Sequence, residues 1–185
     1  MDEYIGFYDP IGITKGRICG LIAKSEAVRK ALDYQAKDAP YKDEYDPDDP
    51  MTLIWNCIIP TLKDPDTITT ADPQILVGID STRNLDDPRT ITLYGTIVVV
   101  VNNEDLRTNI RYIRPDLVEQ GLCAYTKPDA IAREIRQALA APESISWIGD
   151  IQFIESTEGS VNNTTHYSRV LKFMVREVNF ENRGI

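Results

Sequence analysis

At 185 residues the chain suits one domain, or a compact domain with a long arm, since single domains most often run ~100–150 residues. Hydrophobic residues make up 42% and charged residues 26%, which is ordinary globular usage and excludes disorder as the general state. A formal net charge of −9 excludes a protein that grips nucleic acid with its whole surface, because that binding runs on neutralising phosphates; an acidic wall instead lets a polyanion slide past.

The opening residues lack a basic stretch leading into an apolar one, and no run approaches the ~20 apolar residues of a membrane span, so neither a secretory signal nor membrane attachment is expected. Residues 1–24 mix Gly6, Gly12, Gly16 and Gly20 with Ile5, Phe7, Ile11, Ile13 and Ile18 at no clean period, which predicts an extended N-terminal arm. Ser25 then offers a helix N-cap, Glu26 suits the first turn, and Val28, Ala31, Leu32 and Gln35 follow at helical spacing, predicting a helix over 25–37. The stretch 40–50 holds five acids and three prolines, the composition of a solvated loop. Apolar runs at 52–59, 74–80 and 90–101 read as strands, the last long enough to cross a sheet.

Residues 102–126 form a long connection in which Leu106, Ile110 and Ile113 fall at helical spacing beside a second stripe of Arg107, Arg111 and Arg114. Thr126 and Asp129 have the spacing of a capping box, with Pro128 in the first turn, and Ala130, Ile131, Ile135, Ala138 and Leu139 continue a helix over 127–140. Alternating residues at 145–154 and 166–178 predict an antiparallel hairpin with a long polar tip at 156–165. The whole is a single α+β domain, a mostly antiparallel β-sheet flanked by two or three helices, with long loops and the N-terminal arm. Its core is expected to contain Leu32, Ile75, Val77, Ile97, Val99, Ile135, Leu139, Phe153, Leu171 and Phe173.

Reactive chemistry is sparse. His166 is the single histidine, so a triad or zinc site would rest on it alone, and no catalytic residue, cofactor site or metal site is expected. Cys19, Cys57 and Cys123 lie far apart and odd in number, which suggests reduced, buried thiols. The acids Asp43, Glu44, Asp46, Asp48 and Asp49 gather oxygen ligands, but Pro47 and Pro50 interrupt them and no glycine turn is present. Arg107, Arg111 and Arg114 are a local concentration of positive charge on an acidic chain, either a solvated helix face or a subunit interface for carboxylates of another copy.

The order of helix, strands, long apolar strand, helix and hairpin resembles the tail-terminator (tail-completion) proteins of long-tailed bacteriophages. The residues that carry the likeness are 90–101, then Asp129-Ala-Ile-Ala-Arg-Glu-Ile-Arg-Gln-Ala-Leu139, then 151–154, and the closing strand that begins His166-Tyr167 and alternates to Val175. The match covers roughly the C-terminal half, with a weaker one at 25–37. The resemblance implies a structural virion protein: a homo-oligomeric ring, expected to be a hexamer, at the head-proximal end of the tail. It would cap the tail tube, and the sheath if the tail contracts, and join it to neck connector proteins. DNA would pass through without specific binding. Assembly would take place in the host cytoplasm, with no membrane involved. Alternatives are another head-tail connector and, from a different class, a small cytoplasmic enzyme or metal-binding module using the acidic loop 43–49, or a bacterial binding module unrelated to phage.

Overall fold

The structure, a computed structural model, describes residues 10–34, 41–62, 71–83, 90–105, 119–120, 126–142, 144, 148–161 and 165–179. Three helices, α1 (Pro10–Lys24), α2 (Glu26–Leu32) and α3 (Lys127–Ala140), lie on one face of a five-stranded sheet. The strands are β1 (Ile58–Ile59), β2 (Gln74–Arg83), β3 (Thr90–Asn102), β4 (Ile151–Val161) and β5 (His166–Asn179), in the order β1-β2-β3-β5-β4. Only the β1–β2 pair is parallel; β2–β3, β3–β5 and β4–β5 are antiparallel. The expected α+β class with a mostly antiparallel sheet is the observed one.

The N-terminal arm needs correction: residues 10–24 form helix α1. Its buried stripe is Thr14, Ile18, Cys19, Ile22 and Ala23, a helical period that the glycines and the small polar or thiol members conceal in the sequence. Gly12, Gly16 and Gly20 each cost helix stability, roughly 1 kcal/mol relative to alanine. Burial of the stripe against the sheet offsets that cost. Ser25 separates α1 from α2 and caps the second helix, its hydroxyl accepting from Val28 N at 3.3 Å. Helix α2 is shorter than expected because Asp33 turns left-handed (φ 48°) and closes it after Leu32.

Strand boundaries also move, and β2, expected to end at residue 80, runs on to Arg83 along β3. Within 52–59 only Ile58 and Ile59 form a strand, because a 3₁₀ turn at Pro50–Leu53 and a tight turn through Trp55 occupy the rest, with Ile54 making a single bridge to Ile58. Strand β4 starts at Ile151, after the Gly149 turn (φ 107°), and runs through the supposed loop to Val161. Long polar residues there pair across to β5, with Glu155 opposite Lys172 and Glu158 opposite Arg169, so cross-strand charge sustains the ladder beyond the apolar core. Nine of the ten expected core residues are buried. Phe153 is only half-buried, since it lies on the edge strand β4 and lines an open groove beside α3.

Candidate functional site

The site grows out of helix α3. Its capping carboxylate Asp129 accepts from Thr126 N at 3.1 Å and from Thr126 Oγ1 at 2.6 Å, fixing the helix start. Lys127 Nζ, almost fully buried, donates to Asp105 Oδ2 at 3.0 Å and ties that start to the segment following β3. Ile131, Ile135 and Leu139 face the core. The neighbouring stripe, Arg133, Arg136, Gln137 and Ala140 at i, i+3, i+4 and i+7, faces a groove of about 310 Å³ whose other wall is Phe153 and Ser156 of β4 and Arg169 and Leu171 of β5.

Three guanidiniums meet in this groove on a chain of net charge −9. Arg169 is held: Nη1 lies 2.7 Å from Glu158 Oε1 and 3.4 Å from Asp129 Oδ1, and Nε donates to Ser156 Oγ at 3.0 Å. Arg136 lies over the Phe153 ring, 5.1 Å from its centroid, a cation-π contact on the outer rim. Arg133 Nη1 is buried and has no hydrogen-bond partner among the described residues. A buried guanidinium N–H without an acceptor is costly, and a turn of the side chain into the groove would let a carboxylate or phosphate oxygen there satisfy it. Tyr167, two residues before Arg169, has its phenol pushed up to about 12, first by burial and then by the Glu158 carboxylate.

Arg107, Arg111 and Arg114, the arginines singled out in the sequence, lie outside the described residues. The acids of 43–49 are exposed, and two of them work locally: Asp46 Oδ1 accepts from Asp48 N and Asp49 Oδ1 from Met51 N, each at 2.9 Å. Among the described residues no group of three or more His, Cys, Asp or Glu side chains is placed to hold a metal ion. His166 is buried at the start of β5, with Nδ1 2.9 Å from Thr165 Oγ1. Burial raises the Cys19 thiol to about 11 and drives Cys57 higher still. Cys123 lies outside the described residues, as does the 106–113 stripe. No helix among the described residues is long and apolar enough to cross a membrane.

Sequence reading alone passes over the arginine groove. The spacing of Arg133 and Arg136 is legible on α3, but Arg169 joins them only through the pairing of β5 beside the helix.

The family model YomW matches residues 25–175, from the cap of α2 into β5. No curated protein matches the chain.

Proposed function

The chain belongs to the YomW family, which is phage-derived, and from that premise we propose that it is a structural virion protein forming a ring at the head-proximal end of a phage tail. The ring caps the tail tube and joins it to the neck, with no catalytic turnover of its own. The observation that carries this reading is that the family match spans the elements on which the tail-terminator resemblance rests: the long strand β3, the capped helix α3 and the β4–β5 hairpin. The charge of −9 fits a ring through which DNA moves without being held. The groove offers guanidiniums, an amide and a hydroxyl, groups that hold an acidic partner in place.

Gold-labelled antibody on intact particles tests the proposal. Label at the junction of head and tail is the expected result. Label along the tube, or particles that carry none of the protein, would overturn it.

A further inference from the structure

We propose that the arginine groove receives the acidic, aromatic segment 41–55 of a second copy of this chain, so that copies join head to tail; the inference rests on the ring reading above. The two surfaces sit at opposite ends of the sheet. The groove lies against β4 and β5, while segment 41–55 is fastened at the β1 end, where Tyr41 N donates to Asn56 Oδ1 at 3.1 Å, Asn56 Nδ2 donates to Thr52 O at 2.7 Å, and Ile54 bridges to Ile58. A contact between unlike surfaces at opposite ends is heterologous, and repeated around an axis it closes a ring.

The chemistry of the two surfaces is complementary. Asp43, Glu44 and Asp48 are exposed and their carboxylates make no hydrogen bond among the described residues. Arg133 and Arg136 have no carboxylate partner of their own among the described residues, and Arg133 Nη1 is one of three buried side-chain donors there that lack an acceptor, beside Arg29 Nε and the Tyr34 hydroxyl. The same segment exposes Tyr41 (49%) and Trp55 (51%), large rings on a surface otherwise rich in acids. Guanidiniums take both carboxylate oxygens and aromatic faces, so one groove suits both features of the segment. Subunits of charge −9 also repel one another, and a local pairing of opposite charge is what brings such subunits into register.

Sedimentation velocity on the full chain tests this with two charge-altered variants. One is R133Q/R136E. The other is D43K/E44K/D48K, which leaves the turn-capping carboxylates of Asp46 and Asp49 in place. Each variant alone should sediment as a monomer while keeping its circular dichroism spectrum, and an equal mixture should regain closed particles in which the two alternate. R136E alone, altered only on the outer rim, should give at least a tenfold weaker assembly and serves if the double groove variant does not fold. Variants that keep the wild-type particle, or folded variants whose mixture stays monomeric, would overturn the contact while leaving the ring reading standing. A wild-type chain that is monomeric at every concentration would instead overturn the ring reading, and this contact with it.

Discussion

The ring of Phe173 lies over Gly95, its cross-strand partner on β3, so closely that a β-carbon at position 95 would overlap the ring carbons. Glycine is required there by the neighbour, on the helix-covered face where Phe173 is 1% exposed. Gly95→Ala is therefore expected to destabilise the fold by ~1–3 kcal/mol in urea titration, the usual cost of overpacking. Trimming the ring in the same chain with Phe173→Leu should recover part of that loss. An unchanged midpoint for Gly95→Ala would show that the ring moves aside freely.

Leu139 closes the buried stripe of α3 and is fully buried. Cutting it to alanine leaves a cavity between helix and sheet, and the expected cost is ~2–5 kcal/mol. A loss below ~0.5 kcal/mol in the same titration would be the behaviour of a surface position.

Stability should fall in alkali. The Cys19 thiol, ordinarily near 9.0, is raised to about 11 by desolvation, with Lys15 opposing, and Cys57 is raised further by burial and then by Asp72. The folded chain thus keeps protons that the unfolded chain has lost. This contribution is complete below pH 9.0 and drains away as pH rises through about 11. Urea midpoints should drop across that window, and Cys19→Ala should flatten the drop. A flat profile in the unaltered chain would contradict the burial of both thiols.

Trp55 stands in the left-handed region at φ 72°, half-exposed, with its backbone N–H donating to Ile58 O at 2.8 Å. Such a conformation strains any residue but glycine, by ~1–3 kcal/mol. Trp55→Gly is expected to hold or raise the melting temperature while weakening self-association. A lower melting temperature would make the indole a packing residue of the β1 turn.

Legibility followed the strength of local signals. The capping box at Thr126 and Asp129 and the alternation of β3 and β5 are periodic and chemically marked, so α3 and the central strands are readable from residues alone. Helix α1 was hidden because its stripe alternates isoleucines with Thr14, Cys19 and Ala23 among glycines, and a reading weighted to large apolar residues misses it. Strand β4 reads as a loop beyond residue 155, because its ladder there carries polar residues that pair by charge with Lys172 and Arg169 instead of alternating apolar ones. The groove depends on Arg169 meeting residues some thirty positions earlier, which no local pattern reveals.

Self-association of the unaltered chain tests the ring most directly. Native mass spectrometry over a concentration series should show one closed homo-oligomer, with six copies the expected count and no ladder of open intermediates. A monomer persisting at the highest concentration, or an open-ended series of sizes, would contradict it.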